Sequence, residues 1–176
     1  MNLKEKFKGV LCKSSIIVLV LFVVCLALDL ITKGIFCSEI TKADVAGTPT
    51  PIIDGFISIL PIGNSGMAWS LLNKYPEMLA VISVVLFFGL CVCFVMFRQD
   101  HWLFSASMGL MMAGAMGNLI DRVFLGFVRD FIKLDFIDFP IFNFADSCLC
   151  VGAVMICVYI VFIYKSPEKK SVEEEK

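Results

Sequence analysis

The chain has 176 residues, of which 59% are hydrophobic and 18% are charged, with a formal net charge of −1. Soluble domains run nearer half apolar and a quarter charged, so this composition excludes an ordinary soluble domain and indicates an α-helical integral membrane protein. The length suits a single membrane-embedded domain over 1–176, and the near-zero net charge offers no basic surface for nucleic acid.

Lys4, Lys6, Lys8 and Lys13 precede the first apolar run. The run is long for a signal-peptide core, contains Asp29 and Lys33, and is followed by no small-x-small cleavage site. It is predicted to be a retained transmembrane helix over about 14–35, since spanning the hydrocarbon takes about 20 apolar residues. Asp29, Thr32 and Lys33 share one helical face at i, i+3 and i+4. Opposite charges at that spacing can pair, and a pair enters the membrane interface more cheaply than a lone charge. A structural role is expected for both.

The next segment, to Pro76, holds β-branched and aromatic residues at 52–60 between Pro51 and Pro61, which predicts a short strand or two. It also contains "GNSGMAWSLL". Gly63 and Gly66 permit unusual backbone angles, and Asn64–Leu72 is expected to act as a lid, with Trp69 on lipid or on the apolar part of a substrate. A second span follows at about 77–97, and the turn "RQDH" joins it to a third at about 102–120. Gly109, Ala113 and Gly117, four residues apart, let helix backbones approach closely. They lead into Asn118, Asp121 and Arg122 on one helical face, where an interfacial Asp–Arg pair is one expected outcome. The stretch 121–140 is rich in Phe, Ile and Leu for a loop, and an interfacial helix at the membrane surface is expected. The fourth span, about 143–164, opens on "FNFADS", with Asn143 and Asp146 at i and i+3. A charged tail fills 165–176.

Lys and Arg near the ends of the spans divide nine to six. Lys4, Lys6, Lys8, Lys13, Arg98, Lys165, Lys169, Lys170 and Lys176 lie on one side. Lys33, Lys42, Lys74, Arg122, Arg129 and Lys133 lie on the other. This places both termini and the 165–176 tail in the cytoplasm. The eight cysteines sit mostly in apolar runs, and two-residue spacings such as Cys91/Cys93 and Cys148/Cys150 turn the side chains apart on a helix. They are read as small hydrophobes rather than disulfides or metal ligands. With His101 the sole histidine, on the opposite side from the acidic residues, neither a metal nor a cofactor is expected.

Asp29, Asn64, Asn118, Asp121, Arg122, Arg129, Asp130, Asn143 and Asp146 all fall at one membrane face. Ionisable groups at membrane depth are rare and usually functional. Two carboxylates a few ångströms apart share a proton, which suits water activation for amide hydrolysis. The residues alone leave both Asp121 and Asp130 open as the partner of Asp146. A small ion-coupled transporter using the same carboxylates is the alternative, and a non-catalytic scaffold a further one. The apolar cytoplasmic halves of the spans disfavour an ion path.

"LDLITKGIF", "GNSGMAWSLL", "GAMGNLIDRVFLGFVRDFI" and "FPIFNFADSCLCVGAVMI" resemble, in order and spacing, the blocks of lipoprotein signal peptidase, or signal peptidase II. The resemblance covers nearly all of Leu28–Ile156. It implies an aspartic endopeptidase with four spans in the bacterial cytoplasmic membrane, its active site at the outer face. It implies removal of signal peptides from diacylglyceryl-modified prolipoproteins, just before the lipidated cysteine. A monomer is expected, with membrane lipids as its other partners. Asp130 in "VRDF" and Asp146 in "FNFADS" match the catalytic aspartates. Asn118, Arg122 and Asn143 match residues lining the site, and Asn64 an outer-loop residue closing over it. Asp29, Lys33 and Asp121 match positions of structural role. The chain departs from the family at Asn64-Ser-Gly-Met-Ala-Trp69, where Asn-Thr-Gly-Ala-Ala-Phe is usual, and at Arg129, where an apolar residue is usual. No lipobox precedes a cysteine near the N-terminus, so the chain is not expected to be a lipoprotein itself.

Overall fold

The computed structural model describes residues 13–41, 47–66, 76–97 and 101–164. Trp69, the 165–176 tail and most of the cationic residues that set the orientation lie outside them. The helices are α1 (Lys13–Phe36), α2 (Pro76–Met96), α3 (Trp102–Leu125) and α4 (Phe144–Val158), the last continuing as a π-helical turn over Tyr159–Ile163. All four are long and apolar enough to cross a membrane. The third runs five residues beyond the predicted 120, because Asp121 and Arg122 continue the helix. Gly126 then ends it in the left-handed conformation, φ 81°, which glycine adopts without steric cost.

α3 is the central helix. Of its most apolar stretch 67% is buried, against 17% in each of the others, and it packs on α1, α2 and α4. Its small residues make this possible. A Cβ on Gly109 would stand 3.0 Å from the Val18 carbonyl oxygen of α1, and one on Gly114 would collide with the Ala145 carbonyl oxygen of α4. Gly152 of α4 gives the same clearance to Ser107 and Met111 of α3. The outer faces of α1, α2 and α4 expose Val, Leu, Ile and Phe, as lipid-facing surfaces do. Cys25, Cys37 and Cys148 are buried, while Cys93, Cys150 and Cys157 lie on exposed faces, and all are free thiols.

The helix ends nearest the polar residues carry a three-stranded antiparallel sheet of order β1 (Thr50–Ile53), β2 (Ile57–Asn64), β3 (Val128–Leu134). The expected strands at 52–60 are therefore a hairpin, turned at Gly55 with φ 69°. Pro51 sits in the edge strand β1 and Pro61 at a bulge in β2, two places where a missing N–H is tolerated. No helix along the membrane surface is found among the described residues. Residues Val128–Leu134 of the Phe-rich stretch form β3 instead, its backbone groups paired antiparallel with β2.

A buried ion network joins these elements. Lys33 is fully buried, and its ammonium lies 2.8 Å from Asp29 Oδ2 and 3.3 Å from Asp121 Oδ2. It donates a further hydrogen bond to Asn118 Oδ1 at 3.1 Å. Asp29 Oδ1 accepts from the Ala145 N–H of α4 at 2.9 Å. Gly117 leaves the room, since a Cβ there would strike Asp29 Oδ2. Asp121 takes the Arg129 backbone N–H at 3.0 Å and the guanidinium at 2.6 Å. Asp29, Lys33 and Asp121, for which structural roles are expected, thus meet in one buried network. The possible Asp121–Arg122 pair does not form, because consecutive helical residues do not face each other. Lys33→Met would leave two buried carboxylates short of a cation. A loss of about 3–5 kcal/mol is expected, read as a fall in unfolding temperature in detergent. Adding Asp29→Leu should restore part of it, and a double variant no more stable than the single one would contradict this account.

Candidate active site

Asn143 organises the centre. It is the N-cap of α4, and its Oδ1 accepts the Asp146 N–H at 2.9 Å. In return its own backbone N–H donates to Asp146 Oδ2 at 3.2 Å. Just before it, Phe142 bridges to Ile132 of β3, which brings the cap alongside that strand. The Asn143 amide nitrogen then donates to Asp130 Oδ1 at 2.7 Å. One fully buried side chain therefore contacts both aspartates.

Two more amides complete the set. Asn118 Oδ1 is taken by Lys33 and by Asn143, so its nitrogen must face the other way, and it donates to Asp146 Oδ1 at 2.7 Å. Asn64 ends β2, paired with Val128, and its nitrogen donates to Asp130 Oδ2 at 2.9 Å while its Oδ1 accepts the Gly66 N–H. Each of the four carboxylate oxygens of Asp130 and Asp146 thus has one N–H donor. A carboxylate oxygen can accept two, so each retains capacity for water or a proton.

Charge compensation separates these aspartates from the others. Asp29 and Asp121 are paired with Lys33 and Arg129. Asp130 and Asp146 make no ion pair among the described residues. Asp130 is 2% exposed. Burial pushes its carboxyl up to about 7, and the neighbouring charge of Asp146 pushes the same way, while the amides of Asn64 and Asn143 oppose this. Asp146 is partly buried and, with Asp130, Asn64, Asn118 and Arg122, lines a cavity of about 600 Å³ whose remaining wall is largely apolar. That is the size and character of a ligand-binding cleft. Among the described residues no three His, Cys, Asp or Glu side chains gather as metal ligands.

The structure brings together every predicted site residue, in two groups. Asp130, Asp146, Asn64, Asn118, Asn143 and Arg122 meet at the cavity, and Asp29, Lys33 and Asp121 stand behind them. Arg129 leaves the cavity for Asp121, since neighbouring strand residues point to opposite faces. Two features were missed. Ser83 of α2 accepts a hydrogen bond from Arg122 Nη1 at 3.0 Å, and a lone serine in an apolar span is the signal that could have found it. Cys37 packs its thiol 3.7 Å from the Asp130 carbonyl oxygen in a cluster with Ile40, Phe127 and Phe131, and burial raises that thiol to about 12. Of the expected lid, only 64–66 belongs to the described residues.

Residues 21–162 match the family model described as Signal peptidase (SPase) II. A lipoprotein signal peptidase of Lactiplantibacillus plantarum is 38% identical over 146 residues, covering 82% of this chain and 94% of the relative. One from Bacillus pumilus is 35% identical, covering 84% and 94% respectively. A solved bacterial membrane enzyme at 2.3 Å resolution superposes with a TM-score of 0.73 at 31% identity, covering 82% of this chain and 87% of that one. A second, at 1.9 Å, gives 0.72 at 30% identity. Matched through all four spans and through both the cavity and the ion network behind it, the chain belongs to the signal peptidase II family of bacterial membrane proteases.

Proposed function

We propose that this protein removes the signal peptide from lipid-modified prolipoproteins, cutting just before the lipidated cysteine with water activated by Asp130 and Asp146. The observation that carries this reading is the pair of amide-held carboxylates without an ion pair, Asp130 buried and Asp146 partly so, beside two others that are paired. Uncompensated like charges in one site favour a single shared proton. Asp130, the more buried, holds the proton at rest, and Asp146, open to the cavity, is the base. Asp146 takes a proton from water as its oxygen attacks the scissile carbonyl carbon, and Asp130 gives its proton to the carbonyl oxygen. The tetrahedral diol then expels the cysteine amine, which receives the proton held by Asp146. The diol returns a proton to Asp130, so the pair ends as it began.

The same reading places the site at the outer face of the cytoplasmic membrane, with both termini inside and the enzyme a monomer among lipids. A substrate held by its acyl chains and its apolar helix presents its scissile bond at that depth. Its lipid meets the apolar part of the cavity wall, near Phe139, Ile141 and Phe142.

Asp130→Asn and Asp146→Asn should each reduce cleavage of a diacylglyceryl-prolipoprotein by about 10²–10⁴-fold while keeping a cooperative unfolding transition. Turnover within tenfold of wild type in either variant would remove the dyad from the mechanism. Asp121→Asn should act chiefly through stability, and a stable but inactive Asp121→Asn enzyme would show that the partner of Asp146 was misassigned.

The raised carboxyl of Asp130 also sets a pH dependence. Above about 7 the shared proton is lost and both carboxylates ionise, so kcat/KM should fall along a limb with its midpoint near that pH. Activity still rising at pH 9 would contradict a one-proton dyad.

A further inference from the structure

α2 carries one hydroxyl. Apart from Glu77 in its exposed first turn, Ser83 is the sole residue of Pro76–Met96 with a side-chain oxygen. Ser83 is buried, and its hydroxyl donates to the Leu79 carbonyl oxygen at 2.8 Å. With its proton committed there, its lone pairs are left for Arg122, whose Nη1 stands 3.0 Å away. A serine bonded back to its own helix is commonplace. One that also receives a guanidinium from a neighbouring helix is not explained by that habit.

Arg122 lines the cavity with Asp130 and Asp146 and feels the charge of both. A guanidinium beside two carboxylates would ordinarily close on one of them in a two-point ion pair. Among the described residues it makes none, and its one hydrogen bond goes to Ser83. The other charges around the pair are engaged elsewhere. Lys33 and Asp29 of α1, Asp121 of α3 and Arg129 of β3 form their own network, and Glu77 of α2 is exposed. Lys33 also acts on Asp130 through space, but it is fixed in that network, which leaves Arg122 as the cation of the cavity lining whose position hangs on a single side-chain hydrogen bond.

We infer that Ser83 is a positioning residue, which holds Arg122 across the cavity from Asp130 and Asp146, out of ion-pair contact, with its other N–H groups available to carbonyl oxygens of a bound substrate. The inference rests on the dyad reading above. If the anchor is lost, Arg122 closes on the carboxylates and favours their ionised forms, so the shared proton leaves at lower pH. The guanidinium is withdrawn from substrate in the same movement.

Ser83→Ala, Ser83→Cys and Ser83→Thr test this in the full-length detergent-solubilised enzyme. Cysteine keeps the volume with a weak acceptor, and threonine keeps the hydroxyl. Cleavage of a diacylglyceryl-prolipoprotein should show kcat/KM lowered about tenfold in Ser83→Ala, which corresponds to about 1.4 kcal/mol. The loss should be smaller in Ser83→Cys and within about twofold of wild type in Ser83→Thr, and in Ser83→Ala the high-pH limb should move to lower pH. A second readout needs no substrate. Asp130 is protonated in the folded state up to about 7 and ionised above about 4 when unfolded, so folding stability should fall as pH rises between those values. In Ser83→Ala that fall should end at lower pH. An unmoved limb together with an unmoved stability profile overturns the inference, as does an equal loss in Ser83→Thr. If Ser83→Ala does not fold, Ser83→Cys with wild-type profiles overturns it as well. A shifted stability profile in a protein that cleaves no prolipoprotein supports the positioning role and rejects the proposed substrate.

Discussion

The ammonium of Lys33 is the point from which the rest of the site hangs. A lysine with no exposed surface is tolerable only when its charge is matched and its N–H groups face polar atoms, and the carboxylates of Asp29 and Asp121 and the amide oxygen of Asn118 surround it. Each acceptor then acts on another part of the structure. Asp29 reaches the first turn of α4 through the Ala145 N–H, and Asp121 fastens the start of β3 through Arg129. Asn118, turned by the ammonium, offers its nitrogen to Asp146. The two elements that carry the uncompensated aspartates are thus referred to one buried charge on a third element.

Two classes of carboxylate coexist within a few residues, and the contrast has a physical basis. Asp29, Lys33, Asp121 and Arg129 form a neutral quartet of two anions and two cations. Asp130 and Asp146 make no ion pair among the described residues, and Arg122, which lines the same cavity, bonds to Ser83 instead. Amides rather than cations touch the second pair. An amide orients a carboxylate without fixing its protonation as strongly as a salt bridge does, so geometry and proton affinity are set by separate groups.

The parts of this structure legible in the sequence follow its strongest physical signals. Apolar length revealed the four spans, i, i+4 spacing the Asp29–Lys33 pair, β-branched residues between prolines the hairpin, and small-residue spacing the close packing of α3. The motifs shared with the signal peptidase II family point to Asp130 over Asp121, which the residues alone did not, and the structure leaves Asp130 without an ion pair while Asp121 has two. What stayed hidden depends on long-range pairing. β3 looked like an amphipathic surface segment because its partner strand lies some seventy positions earlier. Arg129 seemed to crowd Asp130, and only strand geometry sends it to Asp121. Ser83 is a single polar atom in an apolar run, given meaning by a residue on another helix. The extension of α3 to Leu125 was obscured by charges that resemble a helix end but are held inside the fold, Asp121 by Lys33 and Arg129 and Arg122 by Ser83.

Asp29 and Lys33 lie one turn apart on the same helix, which bears on how the chain is made. α1 precedes every other element described here, and a helix carrying an isolated buried lysine would partition poorly into lipid. The i, i+4 pair neutralises that charge within α1, so the helix can enter the bilayer before any partner has been synthesised. Asn118 and Asp121, then Arg129, then Ala145 emerge afterwards, in the order in which they join the ammonium and its carboxylates. The Asp29–Lys33 pair is thus complete within α1 before the residues that surround it follow. Asp146 comes with α4, so the carboxylates that line the cavity stand together only once that helix is in place.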